Sequence, residues 1–169
     1  MTLSMYRASA PVFLQMLPAL SAVLDKAAAF AAAKKIDPSV LLNARLAPDM
    51  FALTRQVQIA SDFAKGTVAR LAGKEPPKYE DTEASFDELK ARIAKTVAFV
   101  KGFTPAAIDG SEERDITITL GGQPRSFKGE NYLVNFALPN FYFHVTSAYA
   151  ILRHNGVELG KGDYMKPPG

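Results

Sequence analysis

The sequence predicts an all-α fold, an up-and-down four-helix bundle with a small β-hairpin before the last helix. Three observations carry this. Four long segments repeat apolar residues at three- and four-residue steps, the spacing that gathers side chains on one helix face. Proline, glycine and capping residues punctuate the intervals between them. A single stretch, Asp115 to Leu120, instead alternates apolar and polar residues, and Gly121-Gly122 with the run to Phe127 completes a small hairpin. At 169 residues, 48% of them hydrophobic, the whole chain 1–169 is expected to form one domain around a real core.

The first helix is expected over residues 9–35. Phe13, Met16, Leu17, Leu20, Leu24, Ala27 and Ala31 form a wide apolar stripe. Pro11 suits a first turn, Pro18 should kink the helix, and Lys34-Lys35 favour its C-terminal dipole. Asp37-Pro38 ends it, with a short extra turn over 38–42. The second helix is expected from Pro48 to Ala72, with Leu53, Val57, Ala60, Ala64 and Leu71 inside. Arg55, Gln58, Asp62 and Lys65 make its solvated stripe, Arg70 a flank near the end, and Gln56 the edge of the inner face. Residues 74–84 read as a loop. Ser85 and Glu88 form a capping-box signature for the third helix, which turns Phe86, Leu89, Ile93, Val97 and Val100 inward and stops at Gly102. After the hairpin, a helical lead-in near Glu130, holding Leu133 and Phe136, is expected to be broken by Pro139. The last helix then ends at Arg153, His154 and Gly156, two cations for the dipole and a left-handed cap. A surface tail closes on Pro167-Pro168-Gly169.

Composition excludes several classes of function. The net charge is +3, and the lysines and arginines are scattered, which argues against nucleic-acid binding. With no cysteine there is no disulfide, thiolate metal site or cysteine nucleophile. The apolar N-terminal run is interrupted by Pro11, Gln15 and Pro18, and no run approaches the ~18 apolar residues of a membrane span. The expected location is the cytoplasm, with no membrane partner. There is no nucleophile elbow, phosphate-binding loop or dinucleotide fingerprint.

Chemistry concentrates in the last helix. Phe141, His144, Ala148 and Ile151 share one face, which sets His144 in an apolar stripe. His144 and His154 stand ten residues apart, about 15 Å in rise and about 280° in rotation, so they cannot chelate one ion. A mixed site with carboxylates from other helices is conceivable, but no ligand spacing calls for it, and a packed, hydrogen-bonded histidine is the simpler reading. His154 serves the helix C-terminus. The Gln56 amide could bond a ligand, His144 or a backbone carbonyl. The aromatic run Phe141-Tyr142-Phe143 points around most of a helix, so one side should meet another surface, either the N-terminal segment or a second subunit.

Ser4-Met5-Tyr6, Leu46 to Met50, Gln56 to Gly66 and above all Phe143 to Lys161 (FHVTSAYAILRHNGVELGK) resemble the DinB/YfiT-like bundle superfamily, within it a bacterial branch known as a domain of unknown function. The likeness covers essentially the whole chain. It implies the bundle fold and a pocket between the second and last helices. It also implies a metal-binding trio, one histidine from the second helix and an HxxxH pair on the last. By position the trio falls on Gln56, His144 and Ala148, so one ligand of three is kept. The resulting expectation is a small-molecule binding module with a degenerate, metal-free site and no cofactor, its pocket candidates being His144, Gln56, Ala148 and Phe141. The alternative is a superfamily-type enzyme, a thiol-dependent transferase or isomerase with His144 as base or ligand. A homodimer is expected from the surplus of apolar surface.

Overall fold

The structure is a computed structural model that describes residues 3–165. It is mostly helical with one two-stranded antiparallel sheet. The elements run α1 (Ala10–Lys34), α2 (Pro38–Leu42), α3 (Leu53–Leu71), α4 (Phe86–Lys101), α5 (Pro105–Ile108), β1 (Asp115–Leu120), β2 (Gln123–Lys128), α6 (Gly129–Asn131), a π-helix (Tyr132–Ala137), α7 (Leu138–His154) and α8 (Lys161–Tyr164). The four long helices supply the core: α3 packs on α7 and α4, and α1 on α4 and α7.

Each long helix buries the stripe its sequence repeats. In α1, Phe13, Leu17 and Leu24 are fully buried, and the helix runs through Pro18 without interruption. By length and composition α1 could cross a membrane, yet its large apolar side chains are spent on this core. In α3, Leu53, Val57, Ala60, Ala64 and Leu71 are all fully buried. The helix starts at Leu53 and not at Pro48, because the Leu53 amide donates back to the Ala44 carbonyl at 2.9 Å and residues 48–52 stay outside the helix. Phe141 of α7 meets Phe13 of α1 edge-on at 4.8 Å, so this member of the aromatic run is taken up inside the chain. Tyr142 and Phe143 stay exposed.

Two expectations fail for identifiable reasons. The polar stripe on α3 is solvated only in part: Arg55 and Asp62 are half-exposed, but Gln58 and Lys65 are buried. The strap of residues 74–84 lies across it, with Gln58 Nε2 donating to Glu83 at 2.8 Å and Lys65 Nζ standing 4.7 Å over the Tyr79 ring. Pro139 does not break the lead-in to the last helix either. The preceding residues 132–137 widen into the π-helix and run directly into α7, with Pro139 in its first turn. A proline has no N–H to give and crowds the carbonyl four residues back. A register that looks for partners five residues apart sidesteps that contact.

The hairpin closes as its alternation requires. Ile116 faces Phe127 across the ladder, and Gly121 and Gly122 take φ of +55° and +78°, the left-handed pair a two-residue turn needs. Phe127 rests on Phe136 and Tyr132 at 5.2 and 6.0 Å, which seats the sheet on the π-helix. Ser85 caps α4 by accepting from the Glu88 amide at 3.2 Å, while the Glu88 carboxylate reaches past it to the Ala84 amide at 2.6 Å. Gly156, at φ +92°, ends α7. The chain then buries Val157 and Leu159 and returns along α1 through α8, where Lys26 pairs with Asp163 at 2.6 Å. The expected tail at Pro167-Pro168-Gly169 lies outside the described residues.

Candidate functional site: a buried histidine–glutamine pair

The α3–α7 interface brings Gln56 and His144 together although 88 residues separate them in the chain. Gln56 is 1% exposed and His144 8%. Their contact is a 2.7 Å hydrogen bond between Gln56 Oε1 and His144 Nδ1. The other end of the amide decides its direction. Gln56 Nε2 donates to the Phe51 carbonyl at 3.1 Å, so Oε1 is left as acceptor and Nδ1 must carry the proton. The imidazole is thereby held in the tautomer whose Nε2 is an unprotonated lone pair. Among the described residues, no protein group pairs with that nitrogen.

The ring is fixed on two further sides. Phe63 of α3 stacks on it at 5.9 Å and 19°, and Phe143 stands edge-on at 5.3 Å and 89°. Burial lowers its pKa from 6.5 to about 4, and the positive charge of Arg55 adds to the shift. His144 is neutral at physiological pH, an acceptor held in place by a glutamine. Of the other candidates, Ala148 and Phe141 are both fully buried, closed into the core behind the pair. His154 is exposed at the end of α7.

These residues do not fit a three-ligand metal centre. Gln56 offers a neutral amide oxygen already committed to the His144 proton, Ala148 offers no donor atom, and no group of three His, Cys, Asp or Glu able to hold a metal occurs among the described residues.

The profile of the family described as Domain of unknown function (DUF1993) matches residues 5–165. The chain belongs to the DUF1993 family. It is also similar to the crystal structure of a DinB family member protein from Shewanella denitrificans, at 46% identity, with 96% of this chain and 92% of that one covered and a TM-score of 0.88. No match is found among curated proteins. The DUF1993 chain is thus a DinB-like protein, as the block from Phe143 to Lys161 implied.

Sequence reasoning missed two arginines of this DUF1993 fold. Arg92 of α4, whose side chain is 2% exposed, donates to Asp62 at 2.8 Å and to Glu83 and the Glu80 carbonyl at 3.0 Å each, and pairs with Asp81 at 3.1 Å. Burial alone would raise the Glu83 carboxyl, but hydrogen bonds from Arg92 and Gln58 bring it below its usual range. Arg70, read as a flank, is half-buried and bonds the Tyr132 hydroxyl at 3.1 Å. The signal for Arg92 was its place three residues beyond Leu89 and one before Ile93, on the edge of an apolar stripe. For Arg70 nothing local gives it away.

Proposed function

We propose that this DUF1993 protein is a small-molecule binding module, one domain over 1–169 built as an up-and-down four-helix bundle, with a metal-free site at Gln56 and His144 between α3 and α7. The orientation of the pair carries the reading. Gln56 occupies Nδ1 and presents Nε2 as a fixed acceptor, and this nitrogen is not closed off from solvent, so a ligand or water can reach it. Phe51 and Phe143, 56% and 55% exposed, stand beside the pair in sequence as an apolar rim, with Ala148 and Phe141 behind it. A ligand that donates one hydrogen bond and buries an apolar body against that rim matches this chemistry.

Native mass spectrometry read together with elemental analysis of the purified protein tests this. The expected outcome is an organic ligand that His144→Ala loses, without stoichiometric metal. Near one equivalent of zinc or nickel, lost on His144→Ala, would overturn it.

The enzyme reading, a thiol-dependent transferase or isomerase with His144 as base, is the weaker one. A pKa of about 4 makes the imidazole a poor base at neutral pH, and its partner is a neutral amide oxygen, which does not stabilise the imidazolium as a carboxylate would. We further propose that the protein works in the cytoplasm as a two-fold homodimer, in which a second copy covers the rim residues.

A further inference from the structure

A cavity lies further along α3 from the Gln56–His144 pair, with Phe63, which stacks on His144, in its wall. It measures about 190 Å³ and is walled by Phe63, Phe136, Tyr132, Ile118 and Leu120, with Arg70 at one side. Three features place the Arg70 guanidinium there. It folds back over Gly66, where a Cβ would collide with its Nη1. Its Nη1 donates to the Tyr132 hydroxyl at 3.1 Å. It forms no ion pair with a carboxylate among the described residues. The one acidic residue in the wall, Asp62, already accepts from Arg92 at 2.8 Å and Lys65 at 3.0 Å, so its charge is answered elsewhere.

On the far side of Arg70 a wetter cleft of about 510 Å³ opens, lined also by Arg114, which lies across Gly73 in the same way. Along this groove Arg70, Lys74 and Arg114 stand with Asp62, Glu75 and Asp115, and the wall beyond Arg70 is aromatic and aliphatic. A guanidinium with one of its five N–H groups committed keeps a free edge for a carboxylate. The volume suits the tail: an engineered cavity of about 150 Å³ holds benzene, so about 190 Å³ takes a phenyl ring with one or two further carbons.

We propose that this cavity binds a small monocarboxylate with an aryl or short aliphatic body, its carboxylate on Arg70 and its apolar end between Phe63, Phe136 and the β1 residues Ile118 and Leu120. The site shares the Phe63 ring with the histidine–glutamine pair, but its charged contact is with Arg70 alone. Phenylacetate is the probe, with phenylacetamide as its neutral counterpart of the same shape, and calorimetric titration of the whole chain as the readout.

The wild-type protein is expected to bind phenylacetate at least about tenfold more tightly than phenylacetamide, the size of one charge-assisted interaction. Arg70→Met should remove that preference, and His144→Ala should leave it unchanged. Gly66→Ala is the more telling variant. Alanine favours a helix and the group it displaces is the end of a flexible side chain, so thermal stability should hold or rise while phenylacetate binding falls. Failure of the wild type to bind millimolar phenylacetate, or equal affinity for the acid and the amide, would overturn the proposal. So would retention of the preference in both Arg70→Met and Gly66→Ala. Binding lost in His144→Ala but kept in Arg70→Met would assign phenylacetate to the histidine site instead.

Discussion

At the scale of one residue, His144 shows what a single hydrogen bond can decide. The Phe51 carbonyl orients Gln56, Gln56 sets the tautomer, and burial with Arg55 nearby keeps the ring neutral. The pH consequence follows from the direction of that shift. The folded ring takes up its proton only near pH 4, whereas the unfolded one does so near 6.5, so between those values the unfolded state binds more protons. Stability is therefore unaffected above about pH 6.5 and falls as pH drops toward about 4, by up to roughly 3 kcal/mol. His144→Gln, which can still donate to Gln56, should lose this slope. Urea midpoints measured at mildly acidic and neutral pH for both proteins check it, and parallel curves would show that His144 is not the group responsible. The sequence showed this histidine in an apolar stripe. It could not show which of three partners Gln56 would take, because that depends on a contact 88 residues away.

At the scale of elements, helical stripes were legible and their coverings were not. Leu53 of α3 and Ile151 of α7 follow from periodicity alone and both are fully buried. Replacing either by Ala should destabilise the protein by roughly 2–4 kcal/mol, read from chemical denaturation; shifts below about half a kcal/mol at both would place them on the surface. The strap 74–84 has no period to read, so nothing in the sequence indicated that it would bury Gln58 and Lys65 or gather its own acids around Arg92. Arg92→Met should leave Asp62, Asp81 and Glu83 without their shared cation. The expected loss is about 2 kcal/mol, moderated by the partial exposure of Asp62 and Asp81. The same change should speed tryptic cleavage at Lys74 and Lys78, and unchanged cleavage would mean that the strap is held by other contacts.

At the scale of the molecule, one continuous core takes residues from α1, α3, α4 and α7 and extends to Ile116 of the sheet and Val157 and Leu159 after α7. What remains outside includes large apolar side chains, Phe143 edge-on to His144 and, elsewhere, Phe51 and Tyr142 among them. A two-fold contact is self-complementary, so one patch can serve both subunits. Light scattering should report a dimer at micromolar concentration that Phe143→Glu shifts to monomer. A monomer-sized species for the unaltered chain at every concentration would remove the dimer.

The π-helix solves a problem of helical phase. Tyr132 and His144 both address α3, one through Arg70 and the other through Gln56, yet they stand twelve residues apart on what is nearly one continuous helix. In an unbroken α-helix twelve residues leave the two side chains about 120° out of step. A turn that spends one more residue takes back about 100° of this, and the two then point the same way to within about 20°. The six wide residues act as a clutch that lets one rod engage the same partner twice. Deleting Val134, an exposed residue inside that turn, should let the ordinary winding return over eleven residues, again about 20° out of step, so that Tyr132 stays on Arg70 and His144 on Gln56. In NMR spectra the Arg70, Tyr132 and His144 ring signals should then keep their positions, and a large shift of the Arg70 and Tyr132 signals would show that the wide turn does not set this phase.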